Sequence, residues 1–260
     1  MSVALVTGAS TGIGAATAIR LSREPGTELV LVARREEMLR EVAESLPCRA
    51  TCVAVDLTAA DAPERVRAHL EAEHGGRLDL LVNNAGAAWR GSFGETGYAH
   101  VQRHMELNFD AVLRVTEALL PLLRESAPSA IVNVASVAGR VSRARSGAYS
   151  ASKFAVIGWS DSLHLEEAAA GVHVGLVLPG FVATEGFPQR ELVERRATRW
   201  MVSTPEKVAD AIFDAGPGGK AERYVPRPYA IFAGLRVLAP GLVRRITKSG
   251  GTFTPSTNND

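Results

Sequence analysis

Short apolar runs rich in β-branched residues alternate with helical patterns along most of this chain, and that alternation limits its fold more than any other feature. The runs are "VALVTG" (3–8), "ELVLVAR" (28–34), "RATCVAVDL" (49–57), "LDLLVNNAG" (78–86), "AIVNVAS" (130–136) and "VHVGLVLPG" (172–180). Between them, residues 13–24, 35–46, 62–74, about 97–125 and about 148–170 carry helical patterns. The runs are apolar on both faces, so each strand must be covered from both sides. Strict succession of strand and helix then implies parallel strands joined by crossover helices, an α/β doubly wound sheet. A hydrophobic share of 46% over 260 residues fills one large core. No repeat or low-complexity linker divides the chain, so residues 1–248 are expected to form a single domain. Residues 249–260 are polar and read as a flexible tail.

The same numbers exclude several classes of partner. A net charge of +1 gives no electrostatic reason to expect a nucleic acid or a strongly charged membrane. No apolar run is long enough to cross a bilayer. The start, "MSVALVTGAS", has no basic region ahead of an apolar one and reads as a strand at once, so no signal peptide is expected. Cys48 and Cys52 fall in a strand-like segment, where they would stand ~13 Å apart, beyond the ~7 Å reach of a disulfide. Free cysteines agree with a reducing, cytoplasmic setting.

"VTGASTGIG" (6–14) follows the first strand and opens the first helix. Gly8, Gly12 and Gly14 allow backbone to approach a ligand closely, and the helix N-terminus offers unpaired N–H groups to a pyrophosphate. In "GAYSASKFAV" (147–156), Tyr149 and Lys153 are four apart, hence on one helical face, with only small residues between them. A phenol titrates near 10, and a neighbouring cation is expected to lower that value toward useful acid–base chemistry. Ser136 ends a strand at the carboxyl edge of the sheet, where open α/β sheets bind ligands.

With the spacing Thr-Gly-x3-Gly-x-Gly, "NNAG" (83–86), Ser136 and the Tyr149/Lys153 pair in register, the chain resembles the short-chain dehydrogenase/reductase family over about residues 3–215. The resemblance implies a Rossmann-like fold and hydride transfer between a nicotinamide cofactor and a carbonyl or secondary alcohol, here an apolar small molecule. It implies catalytic roles for Asn108, Ser136, Tyr149 and Lys153. It also places Gly8, Ser10, Thr11, Gly12, Ile13, Gly14, Asp56, Leu57, Asn83, Ala85, Gly86, Tyr149, Lys153, Pro179, Gly180, Val182 and Thr184 along the cofactor. Strand two ends "VLVARREE": Ala33 stands where a carboxylate would select NAD(H), and Arg34 and Arg35 follow. A guanidinium would welcome a 2′-phosphate, so NADP(H) is expected over NAD(H), with Arg34 the main contact and Ser10 and Arg35 helping. The glycine turn lacks the basic residue at Ser10 or Thr11 that some NADP-preferring relatives carry. The family often forms homodimers or homotetramers through the two long helices. The alternative function is a non-catalytic, cofactor-binding sensor or scaffold, which would not need the full Asn108, Ser136, Tyr149, Lys153 set.

Substrate choice is expected in the loops after Gly86, between Ser136 and Tyr149, and after Thr184, with 185–200 as a substrate lid. Trp89, Phe93, Phe187 and Trp200 are candidates for an apolar pocket or for the core. Arg140, Arg143 and Arg145 put three positive charges before Tyr149. They read as a solvated loop or, more sharply, as a site for an anionic substrate or an acidic partner surface. His100 and His104 have a metal-compatible i,i+4 spacing but no third ligand, so no metal is expected. Residues 228–247 form an apolar helical segment with a stripe at 231, 235, 238, 242 and 246, divided or kinked at Pro240. It would pack on the pocket, bury against another subunit, or make weak peripheral contact with a membrane surface through Arg236, Arg244 and Arg245.

Overall fold

The computed structural model describes residues 2–184 and 199–249. Phe187, nearly all of the expected lid at 185–200 and residues 250–260 of the expected tail lie outside them. In chain order the elements begin β1 (Ser2–Thr7), α1 (Gly12–Leu21), β2 (Thr27–Ala33), α2 (Glu36–Glu44), β3 (Ala50–Ala54) and α3 (Ala62–His74). There follow β4 (Leu80–Asn83), α4 (Phe93–Met105), a π-helical turn (Glu106–Asp110), α5 (Ala111–Glu125), β5 (Ser129–Val134) and α6 (Gly147–Glu167). The rest comprises β6 (Val172–Pro179), β7 (Phe181–Val182), β8 (Val202–Ser203), α7 (Pro205–Ala215), β9 (Glu222–Val225), α8 (Tyr229–Leu238) and α9 (Pro240–Ser249).

Seven strands form one parallel sheet in the order β3-β2-β1-β4-β5-β6-β9, and β7 pairs with β8 apart from it. The expected parallel sheet is present, with β9 as an additional edge strand. Alternation along β1 shows why both faces must be apolar. Val3 and Leu5 join a core with Val66, Leu70, Leu119 and Leu163 of α3, α5 and α6. Ala4 and Val6 join another with Ala18, Leu21, Leu39, Val208 and Ile212 of α1, α2 and α7. Each face is thus covered by helices, and the sheet becomes the rigid middle layer. The strand order reverses direction between β1 and β4, so the loops leaving these two strands splay apart and open a crevice at their carboxyl ends.

One helix starts earlier than the sequence expectation, and the C-terminal segment divides where its proline stands. The stretch expected from about residue 97 starts at Phe93, because Ser92 and Glu95 cap it: the Ser92 N–H donates to Glu95 Oε2 at 3.2 Å. Gly97, at φ 64°, breaks the helix after its first turn, and the π turn separates α4 from α5. In the C-terminal segment, Pro240 divides α8 from α9. The buried residues there are Tyr229, Ala233 and Val243, whereas Ile231, Leu238, Leu242 and Ile246 of the apolar stripe are exposed. Among the described residues no helix is long and apolar enough to cross a membrane.

Candidate active site

The glycine turn after β1 is shaped by close approach. Gly8 has φ +67°, which an L side chain rarely adopts. A Cβ on Gly14 would lie 2.1 Å from the Gly8 carbonyl oxygen. The turn therefore folds back on the first turn of α1 as only glycines permit. Thr11, the N-cap, makes no capping bond through its side chain, so the first-turn amides of α1 face outward as donors. That cradle fits a pyrophosphate. Neighbouring β4 holds it in place: Asn84 Nδ2 donates to the Thr7 carbonyl at 2.9 Å, and the amides of Asn84 and Ala85 donate to Thr7 Oγ1 at 2.9 and 3.0 Å. Asn83, expected along the cofactor, has its side chain buried beneath the sheet edge. Its Nδ2 donates to Thr116 Oγ1 and Asn133 Oδ1, so its amide belongs to the framework. Ile13 packs against the core on the α1 side, and Ala85 and Gly86 line the loop leaving β4.

At the adenosine end, the two arginines after β2 divide. Arg34 is exposed and faces Asp56, with 3.9 Å between Nη1 and Oδ2. Arg35 reaches across to the glycine turn, where its Nη2 donates to Ser10 Oγ at 3.3 Å and Thr11 Oγ1 at 3.2 Å. Asp56 accepts from the Thr58 amide and hydroxyl, which hold its carboxyl below the usual range, with Arg34 adding to the effect. Leu57 is buried below it.

Three elements bring the reactive side chains together. Ser136 leaves β5; its Oγ donates to the Pro179 carbonyl at 3.3 Å and accepts from the Ala138 amide at 3.1 Å. Tyr149 and Lys153 project from the first turns of α6. Tyr149 shares a hydrogen bond with Ser136. Lys153 is almost wholly buried, and its Nζ donates to the Val134 carbonyl at 2.9 Å. Burial alone pulls the ammonium down to about 8. Burial also pushes the Tyr149 phenol up, opposed by the Ser136 hydrogen bond and by the positive charge of Arg143. The Lys153 ammonium is directed at a backbone carbonyl, and Arg143 adds positive charge near the phenol. Asn108 lies in the π turn. Its Oδ1 accepts from the Ala87 amide, and its Nδ2 donates to the Ala87 carbonyl and Ser152 Oγ, each at 2.9–3.0 Å. It thereby ties the loop after β4 to α6. A Cβ on Gly86 would lie 2.9 Å from Asn108 Oδ1 and 3.5 Å from Lys153 Nζ, so that backbone rests directly on the pair. Pro179, Gly180 and Val182 run alongside. Thr184 stands over the glycine turn, its Cγ2 3.4 Å from a Cβ built on Gly12.

The surrounding loops separate the residues left open by sequence. Arg140 pairs with Glu222 at 2.7 Å and Arg145 with Glu95 at 2.8 Å. Arg143 instead stacks over Phe181, with Cζ 4.6 Å from the ring centroid. Trp89 joins a ring cluster with His100, His104 and, through His104, Tyr149. His104 is fully buried. Its Nε2 accepts from the Trp89 amide at 3.1 Å, and its Nδ1–H donates to the His100 carbonyl at 2.8 Å. Both ring nitrogens are occupied, so it offers no lone pair to a metal, and burial lowers its tendency to protonate. Sequence reading missed this hub, because nothing in the spacing of Trp89 and His104 shows that they meet. Trp200 packs with Tyr229 and Phe232, and a Cβ on Gly180 would lie 2.2 Å from the Tyr229 ring. Phe93 is exposed. A separate cleft of about 880 Å³ lies between α7 and β9, lined by Lys207, Arg223 and Arg227 among others and by none of the four residues expected to be catalytic.

A sequence model described as short chain dehydrogenase matches residues 2–193. The chain belongs to the short-chain dehydrogenase family. Members of that family are oxidoreductases that bind a nicotinamide cofactor. An oxidoreductase of Staphylococcus epidermidis is 33% identical over 211 residues, 81% of this chain and 88% of that one. A putative ketoacyl reductase of Streptomyces coelicolor is 39% identical over 212 residues, 78% of each chain. Among solved structures, a short-chain dehydrogenase from Streptomyces avermitilis superposes with a TM-score of 0.78 at 31% identity, covering 97% of this chain and 98% of that one. L-Sorbose reductase from Gluconobacter frateurii, solved with NADPH and L-sorbose, gives 0.76 at 27% identity over 86% and 94% of the two chains. In this short-chain dehydrogenase the glycine cradle and the Ser136–Tyr149–Lys153 group open onto the same crevice, at the carboxyl edge of the sheet.

Proposed function

We propose that this short-chain dehydrogenase is an NADP(H)-preferring carbonyl reductase or alcohol dehydrogenase acting on a small molecule with an apolar body. The observation that carries the reading is the meeting of Ser136, Tyr149, Lys153 and Asn108 beside the glycine cradle. Ser136 Oγ holds the carbonyl oxygen, and Tyr149 gives that oxygen its proton. Burial keeps the phenol neutral, hence able to donate, while Ser136 and Arg143 limit the rise in its pKa. The buried Lys153 ammonium stabilises the phenolate left behind until a solvent proton returns. When bound, the nicotinamide supplies the hydride, or accepts it in the reverse direction. Asn108 keeps the loop after β4 docked on α6, so that Gly86 stays against the lysine.

The NADP(H) preference rests on Ala33 in place of a carboxylate and on Arg35. Its guanidinium lies over Ser10 and Thr11, where a 2′-phosphate would meet all three groups. We assign the larger share to Arg35 and the smaller to Arg34, whose charge faces Asp56. The NADPH bound to L-sorbose reductase and the ketoacyl reductases among the relatives support the same reading. The reading extends to a homo-oligomer through α5 and α6, supported by the exposed Phe154 and Leu165 on α6. It includes weak peripheral membrane contact through residues 228–247, supported by the exposed Ile231, Leu238 and Leu242 beside Arg236, Arg244 and Arg245. It places the enzyme in the cytoplasm, in keeping with free Cys48 and Cys52.

Titration with NADPH and NADH, followed by tryptophan fluorescence, tests the cofactor assignment. NADPH should bind more tightly, and Arg35→Ala should weaken NADPH roughly 10- to 100-fold while leaving NADH unchanged, with a smaller loss in Arg34→Ala. Equal or tighter binding of NADH by the wild type would defeat the assignment.

A further inference from the structure

We propose that His104 is a positioning residue: its neutral imidazole docks the loop after β4 beside Tyr149, and the enzyme loses much of its hold on substrate when that ring takes up a proton. The inference rests on the reductase reading above and adds a residue and a mode of regulation to that site.

Residues 86–91 run from the reactive lysine to the loop that precedes the reactive tyrosine, and they are anchored at three points. At one end Gly86 rests on Asn108 and Lys153, and the Ala87 amide donates to Asn108 Oδ1 at 2.9 Å. At the other end the Gly91 amide donates to the Arg145 carbonyl at 3.1 Å. Between them Trp89 is gripped by His100, Arg103 and His104, an i, i+3, i+4 set on one face of α4. The Trp89 amide donates to His104 Nε2 at 3.1 Å, and His100 Nε2–H donates to the Trp89 carbonyl at 3.3 Å. The Arg103 guanidinium lies over the indole, 3.8 Å from the ring centroid. The His104 ring stands edge-on to Trp89 at 4.9 Å between centroids and to Tyr149 at 6.3 Å. His104 is therefore the link between the middle of the loop and the reactive tyrosine.

The link works only with a neutral ring. Nδ1 carries the proton, which it donates to the His100 carbonyl at 2.8 Å, so Nε2 is the atom left with a lone pair for the Trp89 amide. A proton added at Nε2 sets a donor against a donor, and the middle anchor is lost. The groups facing the ring are His100 and Arg103 of α4 and Tyr149 of α6. None of them replaces the acceptor. His100 donates through Nε2 in either charge state, Arg103 is a donor only, and Tyr149 bonds to Ser136. The ring is fully buried, so water does not replace it either. Burial, with the charges of His100 and Arg103, opposes protonation, so the loop stays docked at neutral pH and is released below the ordinary imidazole value of 6.5. The anchors at Ala87 and Gly91 remain, and Ser136, Tyr149 and Lys153 stand on other elements. Release should therefore raise KM more than it lowers kcat.

The test follows the reduction of 2-octanone and of ethyl 3-oxobutanoate by NADPH at pH 7 and pH 5, a range in which neither carbonyl compound titrates. Wild type, His104→Gln and His104→Leu are compared. A glutamine oxygen reaches the place of Nε2 and takes up no proton, whereas leucine leaves the Trp89 amide without an acceptor. The wild-type KM should rise roughly 5- to 50-fold between pH 7 and pH 5. His104→Gln should show the wild-type KM at pH 7 and no such rise, and His104→Leu should show the raised KM at both pH values. Titration of Lys153 or Tyr149 acts on all three proteins alike, so the comparison removes it. A wild-type KM that is level with pH, or an equal rise in His104→Gln, overturns the proposal. Acrylamide quenching of Trp89 emission, isolated in each background by subtracting the Trp89→Phe spectrum, is read in parallel. It should increase at pH 5 in the wild type and not in His104→Gln. That pattern without turnover of either compound would uphold the proton-sensitive docking while the reductase reading fails. Quenching that is the same at both pH values in the wild type would overturn the proposal whatever the turnover.

Discussion

Replacing Lys153 by Met should stabilise the protein while disabling it. Lys153 is 4% exposed, and burial draws its ammonium from 10.5 to about 8. The difference, 10.5 − 8 = 2.5, corresponds to about 3 kcal/mol by which the fold disfavours the charged form at pH 7. Methionine has similar length and no charge, so it removes that term. It also removes the bond to the Val134 carbonyl, a loss of about 1 kcal/mol. The net gain is about 2 kcal/mol, or roughly 4–8 °C in Tm for a chain of this size. The sign with pH follows from the lowered folded value. Between about 8 and 10.5 the unfolded chain binds more protons than the folded one, so wild-type stability rises with pH in that window. By pH 10 the penalty on the wild type falls to about 1 kcal/mol, and the advantage of the variant should vanish. Urea unfolding of both proteins at pH 7 and pH 10 reads this directly. A variant less stable than wild type at pH 7, or a difference that does not change with pH, would refute the burial argument.

Two other predictions concern the framework of the site. Stability should fall as pH drops from 7 to 5, because burial lowers both His104 and His69 and their unfolded forms take up protons first. Each can contribute a slope of up to about 1.4 kcal/mol per pH unit below about 6.5, and His104→Asn should flatten the slope in urea unfolding; a profile identical to wild type would remove His104 from the account. The charged groups acting on these rings, His100 and Arg103 for one and Glu73, His74 and Arg49 for the other, do not reverse the direction. Gly14→Ala should lower stability by about 1–3 kcal/mol and abolish measurable NADPH binding, since its Cβ would meet the Gly8 carbonyl at 2.1 Å and backbone cannot step aside as a side chain can. Unaltered NADPH affinity in that variant would show that the turn is not the cradle.

The fold was legible because each strand carries its own evidence: Val3 and Leu5 serve one face, Ala4 and Val6 the other, and only a covered parallel sheet buries both. Tyr149 and Lys153 were legible because helical spacing alone puts them on one face. What escaped depends on direction and distance. Arg34 and Arg35 are adjacent in sequence, and only the backbone leaving β2 shows that Arg35 is the one over the glycine turn. The Trp89–His104 contact joins a loop to a helix fifteen residues on and leaves no periodic trace. The stripe at 231, 235, 238, 242 and 246 recurs at helical spacing, yet four of its five residues are exposed within the chain. Both sides of that segment are apolar, and Pro240 breaks the phase, so periodicity there does not identify the inner side. The three arginines before Tyr149 look alike in sequence and are distinguished only by where Glu95, Glu222 and Phe181 stand.

The central claim is that Tyr149 protonates a carbonyl oxygen during NADPH-dependent reduction. Its most direct test is the rate of carbonyl-dependent NADPH oxidation in wild type and Tyr149→Phe, with NADPH affinity measured on both proteins. The account predicts measurable turnover in the wild type, a fall of roughly 100-fold or more in the variant, and equal NADPH binding. Turnover by Tyr149→Phe at the wild-type rate would contradict it. So would a wild type that binds NADPH tightly and reduces no carbonyl, which would leave a cofactor-binding protein without the chemistry assigned here.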